Sequence, residues 1–234
     1  MSLSVDDSFT GSGNTSRKWP TSSGSRSVPR QNRVTPFGEV IAVPGRGLFM
    51  GNRGRLHTAS GQIRRGWQLR RWIVCLLEFK GRKRQVMTPG HYTELFFLDE
   101  ATALAAGHRP CAECRRERFN AFRARALETR GDLPALSAVE LDRQLHAQRL
   151  TADGKNRTHR ARLQDLPDGT FVLLPDAPRT PYLIRSGVLL TWTAGGYTSR
   201  IPQPSAETVE VLTPELTVGA FRHGYVPELH PSAN

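Results

Sequence analysis

Two cysteines, Cys111 and Cys114, stand two residues apart in "GHRPCAEC", behind a Gly-x-x-Pro turn. Thiols at that spacing can form a redox pair, supply half of a metal site, or meet by coincidence. A thioredoxin-type pair needs a strand just before the first cysteine, within a βαβ unit. Here an Ala-rich helical stretch and Gly107 come first, which argues against redox chemistry. A turn that presents two thiols at a helix start suits zinc. The helix N-terminus favours the thiolate, and the spacing lets both sulfurs reach one ion.

The other half of such a site must come from elsewhere. The chain has three cysteines, so Cys75 is the remaining thiol. It lies inside "WIVCLLEF", where a plain core cysteine is the competing reading. His57 ends the glycine-rich "NRGRLH", and His91 sits in "PGHYTE" as a reserve. A Cys₃His set of Cys75, His57, Cys111 and Cys114 would be closed and structural. Three protein ligands with an open fourth position would point to catalysis.

Other spacings suggest catalysis more weakly. "PCAEC" matches the second half of the zinc deaminase signature, which also needs His-x-Glu upstream. None of the seven histidines has Glu at the second position after it; His91 has Glu94 at the third. Asp142, His146 and Arg149 fall on one helical face, followed by Lys155, Arg157, Thr158 and His159. An Asp–His pair there could orient a general base over a phosphate held by the cations. The plainer reading is a solvated helix face. Arg46, Asn52, Arg53 and His57 form a second polar set, in a segment with glycines at 45, 47, 51 and 54. It lacks the lysine and the following helix of a phosphate loop.

These residues need elements to hold them. Arg33–His57 reads as short strands broken by glycine turns, and Trp72–Phe79 as a strand apolar enough to be buried on both faces. "GHYTELFF" continues as a strand. "LDEATALAAG" reads as a short helix beginning at Leu98 or Asp99 and stopped by Gly107. A longer helix opens at the cysteine pair, with Phe119, Phe122 and Leu127 on one stripe. Ser137 and Glu140 make a capping box for a third helix. "TADGKNRTHR" is read as a polar turn. Period-2 runs return in "TFVLLP", "PYLIRSGVLLTW", "YTSRI" and "TVEVL". "TPELTVGAFRHG" closes the chain with a helix capped by Thr213 and ended by Gly224. The expected fold class is α+β. Its expected parts are a Ser/Gly-rich basic tail at 1–33, a first unit at 34–130, a helix plus small β-barrel-like unit at 131–228, and a tail at 229–234.

The formal net charge of +12 over 234 residues is uneven. From Arg53 to Arg84 there are ten basic residues and one acid; from Gln164 to Asn234 there are four basic residues and seven acids. A one-sided basic field favours a polyanion, most often nucleic acid. The candidate contacts are Arg53, Arg55, Arg64, Arg65, Arg70, Arg71, Lys80, Arg82, Lys83, Arg84, Arg115 and Arg116. No apolar run approaches membrane-spanning length, no apolar stretch of a secretory signal follows the start, and three cysteines make no disulfide framework. The expectation is a reduced, cytoplasmic protein without a membrane partner.

Residues Phe96–Phe122, "FFLDEATALAAGHRPCAECRRERFNAF", resemble the metal-binding module of the Ada family of methylphosphotriester-repair proteins, most closely over Ala105–Cys114. The resemblance implies a small α/β module with zinc on four thiolates, a methyl-accepting upstream cysteine, and DNA as partner in preference to RNA. It also implies that His108 takes an aromatic packing position. The family's upstream cysteine pair would fall near "FKGRKRQ", which has no cysteine. Only Cys111 and Cys114 therefore carry over, and methyl acceptance does not. The leading expectation is an Ada-like zinc protein with an N-terminal β segment that engages nucleic acid in repair or processing. A metal-assisted nuclease- or hydrolase-like enzyme acting on nucleic acid or a nucleotide is the first alternative, a structural zinc module for protein partners the second.

Overall fold

The computed structural model describes residues 28–82, 85–129, 136–204 and 208–234. Their fold is α+β: two six-stranded sheets and four α-helices. The first sheet contains β1 (Gln31–Val34), β2 (Val40–Ala42), β3 (Phe49–Asn52), β4 (Ile73–Leu76), β5 (Leu95–Phe97) and β6 (Arg109–Pro110). Its spatial order is β2-β1-β5-β3-β4-β6, with β1–β5 and β4–β6 parallel and the remaining pairs antiparallel. Of the segment expected as a tail, residues 1–27 lie outside the described residues, and β1 begins at Gln31. Strand β4 departs from the expectation of two buried faces. Val74 is fully buried, whereas Cys75 is half-buried and Leu76, on the same face as Val74, is exposed, so burial fades along the strand.

The second sheet contains β7 (His159–Arg162), β8 (Phe171–Leu174), β9 (Ala177–Arg185), β10 (Val188–Thr193), β11 (Gly196–Pro202) and β12 (Thr208–Val211), in the order β11-β10-β9-β8-β12-β7. Every pair is antiparallel, and β11 and β7 are its two edges, so the sheet is open rather than barrel-like. Strand β7 includes the end of the segment expected as a polar turn. Alternate residues Arg160 and Arg162 stay exposed there, while pairing with β12 satisfies the backbone. The helices are α1 (Glu100–Ala105), α2 (Arg116–Glu128), α3 (Ala138–Arg149) and α4 (Glu215–Arg222). Ser137 caps α3 by accepting from Glu140 N–H at 3.1 Å. Thr213 does not cap α4: its hydroxyl accepts from Phe171 N–H at 2.9 Å, and Pro214 stands at the cap. Among the described residues, no helix is long and apolar enough to cross a membrane.

The two expected units share one interior. Leu98, Ala101 and Ala105 pack with Phe171, Leu173, Leu183, Leu190 and Trp192 of the second sheet. Leu104 joins Phe119, Phe122, Leu141, Leu145, Leu216 and Phe221 in a four-helix cluster. Helix α1 is thus buried on all sides, which is why its two opening acids carry the fold. Asp99 caps the helix, accepting from Thr102 N–H at 2.9 Å, and also accepts from Tyr197 Oη and His230 N–H. Burial pushes its carboxyl above the ordinary value against those hydrogen bonds. Glu100, with no exposed surface, pairs with Arg115 at 2.9 Å and Arg118 at 2.6 Å, and accepts from Tyr225 Oη and Glu228 N–H. Residues 229–234 are therefore a docked segment rather than a tail: a 3₁₀ turn at Pro231–Ala233 buries Ala233, and Ser232 Oγ accepts from Tyr197 N–H at 2.8 Å.

Removing one partner of a buried ion pair leaves the other charge stranded. Glu100→Gln should lower the unfolding free energy by about 3 kcal/mol or more, read by urea titration. Asp165→Asn, which breaks the exposed pair with Arg162, should barely move the midpoint.

Candidate metal centre

The parallel pairing of β4 with β6 builds the site. Its register sets Ile73 beside Arg109 and Val74 beside Pro110, and Cys111 N–H donates to Val74 O at 2.9 Å. One residue further along, Cys75 and Cys111 come side by side. Val74 faces the core, so Cys75 takes the outward face of the strand. The chain then turns, and Arg115 N–H donates to Cys111 O at 3.1 Å as it enters α2. Glu100 holds the Arg115 side chain from beneath, which fixes the turn carrying Cys114. The sulfurs of Cys75, Cys111 and Cys114 all lie within 4.8 Å of one another and can hold a metal ion. Ligands of one tetrahedral zinc, at about 2.3 Å from the ion, would be about 3.8 Å apart, a separation inside that limit.

The three thiols interact strongly with one another. Cys111 is pulled well below the ordinary thiol value, first by the hydrogen bond from Cys114 and then by that from Cys75. Glu113 N–H adds a contact at 3.4 Å from its sulfur. Cys75 and Cys114 shift upward, chiefly through their hydrogen bonds with Cys111. Repulsion between neighbouring thiolates keeps protons on the cluster. A divalent ion removes the repulsion that keeps them there.

The other expected ligands lie elsewhere. Among the described residues, no histidine or carboxylate joins the group. His57 is buried with both ring nitrogens in use, Nδ1 at 2.6 Å from Thr93 Oγ1 and Nε2 at 3.2 Å from Thr88 O. His91 is exposed on a turn. His108 is fully buried and does take an aromatic position, with its ring against Trp72 and Phe97.

Several of the polar groups weighed for catalysis are likewise engaged in the fold. Asp142 is locked in a two-pronged pair with Arg109, at 3.0 and 2.9 Å. His146 packs edge-on against Trp67 and Trp72 and contacts Arg149 rather than Asp142. His159 is half-buried in edge strand β7. Asn52 Oδ1 accepts from Gly54 N–H at 3.3 Å. The glycines answer to packing: a Cβ at Gly47, where φ is +76°, would lie 2.0 Å from Phe97 O, and one at Gly51 would lie 2.0 Å from Ile73 O.

Of the residues expected at a nucleic-acid surface, two are interior. Arg53 is 2% exposed and stacks on Trp72. Arg115 is 4% exposed, paired with Glu100 and Glu228, and stacked on Phe49. Both guanidiniums lie over aromatic faces inside the fold rather than at the surface. Arg55, Arg64, Arg65, Arg70, Arg71, Lys80, Arg82 and Arg116 are exposed; Lys83 and Arg84 lie outside the described residues. Arg82 pairs with Glu113, between the two cysteines of the turn, at 2.6 Å. Sequence reasoning passed over Trp67, an exposed aromatic between two arginine pairs. The alternation "RRGWQLRR" was the available signal. Compared with protein-family models, curated proteins and solved structures, the chain matches none.

Purified protein should carry about one metal ion per chain. Cys111→Ser and Cys75→Ser should each lose it, and His57→Ala should keep it, as read by elemental analysis. Loading the metal-free protein should release protons, because thiols bind the ion as thiolates. The apparent affinity should therefore weaken as the pH is lowered, a trend measurable by competition with a chelator.

Proposed function

We propose that the chain is a zinc protein that engages nucleic acid, DNA in preference to RNA, in a repair- or processing-like role without the Ada methyl-accepting activity. The observation that carries the proposal is the cluster of three thiols joining β4 to the entrance of α2. Thiolate-rich tetrahedral sites favour zinc over the hard cations, which prefer oxygen. Zinc there would be held by Cys75, Cys111 and Cys114 and would cross-link a sheet edge to a helix start. The polar groups that a metal-assisted nuclease would need are engaged in the fold: His57 by Thr93, Asp142 by Arg109, and His146 by two tryptophans. That distribution favours a binding role over an enzymatic one.

Support for nucleic acid comes from the exposed cations of residues 55–82, whose nearest sequence acid is Glu78. Phosphate neutralisation releases condensed counterions, so affinity should fall linearly with salt on logarithmic axes. With about six phosphate contacts, raising salt from about 50 to about 200 mM should weaken binding roughly a thousandfold, read by anisotropy of labelled oligonucleotides. Affinity that ignores salt, or no binding of DNA or RNA at low salt, overturns the nucleic-acid part and leaves a zinc module for protein partners.

A further inference from the structure

Arg64–Arg71, "RRGWQLRR", is an exposed stretch running into β4, and its backbone is clamped from below. Gln68 N–H and Leu69 N–H donate to Arg53 O at 2.9 and 3.0 Å. Gln68 Oε1 accepts from Arg55 N–H at 2.7 Å. Three carbonyls of the loop are taken up by buried donors: Gly66 O by Arg53 Nη1 at 3.4 Å, Leu69 O by Trp72 Nε1 at 2.9 Å, and Arg70 O by Arg149. Those donors form a stack beneath the loop. The guanidinium carbons of Arg53 and Arg149 lie 4.0 and 3.8 Å from the Trp72 ring centroid, and each of the three residues is at most 3% exposed.

Neither guanidinium forms an ion pair among the described residues; Asp142, which acts on Arg149 electrostatically, is held by Arg109. Burial lowers Arg53 to about 9 and Arg149 to about 8, so both remain charged at neutral pH. The stack therefore fixes the loop and sets two positive charges behind it. Above them stand Arg64, Arg65, Arg70 and Arg71, with no acidic residue between Arg53 and Leu77. Trp67 remains 36% exposed, steadied by an edge contact with His146 at 4.5 Å, and Leu69 is 42% exposed.

A rigid loop of paired arginines around an exposed indole is complementary to a strand that offers both phosphates and unstacked bases. Cations take the backbone, and an aromatic face takes a base whatever its identity. A duplex keeps its bases stacked inside, so it would use the arginines and leave the indole idle. We propose that Arg64–Arg71 is a docking loop for single-stranded nucleic acid, with Trp67 stacking on an unpaired base and the flanking arginines on its phosphates. The assignment rests on the nucleic-acid reading above and adds to it the strand form and the contact residue.

The test uses the full metal-loaded chain, with labelled single-stranded DNA and RNA and a DNA hairpin duplex of matched composition. Wild type should bind single strands about tenfold more tightly than duplex, and Trp67→Ala should abolish that preference while Trp67→Phe keeps most of it. Reversing two exposed charges, Arg64→Glu with Arg65→Glu, should also weaken single-strand binding and flatten its salt slope. If Trp67→Ala melts early, the decision passes to Trp67→Leu, which keeps apolar bulk beside His146 without a ring. Equal affinity for both forms, or a preference that survives loss of the ring, overturns this assignment and leaves the nucleic-acid reading standing. No binding to any of the three probes overturns both.

Discussion

A carboxylate with no exposed surface has to be surrounded by donors, and Glu100 organises the molecule by meeting that demand. Arg115 and Arg118 from the start of α2, and Tyr225 and the Glu228 amide from the C-terminal segment, converge on it. Desolvating a carboxylate is costly enough that the attraction repays it only when every lone pair is met. Moving any of these partners would leave charge stranded in the interior. Helix α2 must therefore enter where Arg115 reaches Glu100, and the C-terminal segment must return across α1. Cys114 precedes Arg115 by one residue, so the same ion pair sets where its sulfur can stand. Asp99 does the equivalent for the second sheet through Tyr197. Two adjacent acids thus join both sheets, the helices and the thiol cluster.

Arginine supplies most of the interior cations, and the residue type matters. Only four of the 33 basic residues are lysines. A flat guanidinium can lie on a ring and still direct N–H groups sideways, which a lysine ammonium cannot do. Arg53 and Arg149 do so on Trp72, Arg109 on Phe119, Arg115 on Phe49 and Arg118 on Tyr225. Part of the formal net charge of +12 is therefore structural. The outward charge is smaller than the count suggests, and Arg55, Arg64, Arg65, Arg70, Arg71, Lys80 and Arg82 are part of it.

Local features were the legible ones. Asp99 and Ser137 announce helix starts through the spacing of acceptor and amide, Gly107 announces a stop through its positive φ, and period-2 patterning marks the strands of the second sheet. The cysteine turn was legible for the same reason: its two thiols are neighbours in sequence. Cys75 was ambiguous because an apolar run does not show which face each residue takes. That follows from parallel pairing with β6, more than thirty residues away, and no local pattern encodes it. Arg53, Arg115 and Arg149 were illegible as interior groups because composition counts charge without its partners. His57 resembled a ligand until Thr93 and Thr88 accounted for both nitrogens.

The thiol cluster and the arginine loop are linked through β4. The strand starts at Ile73, directly after Trp72, and carries Cys75 two residues on. Trp72 holds the loop through Leu69 O and forms the centre of the arginine stack. Among the described residues, the short antiparallel ladder to β3 and the two-residue strand β6 flank β4. A two-residue parallel strand contributes few hydrogen bonds. An ion shared by Cys75 with Cys111 and Cys114 would close that edge with metal–sulfur bonds, in place of the missing ladder. In the proposed reading the metal therefore serves recognition indirectly: it fixes the strand from which the loop is presented and leaves contact with the nucleic acid to the loop itself.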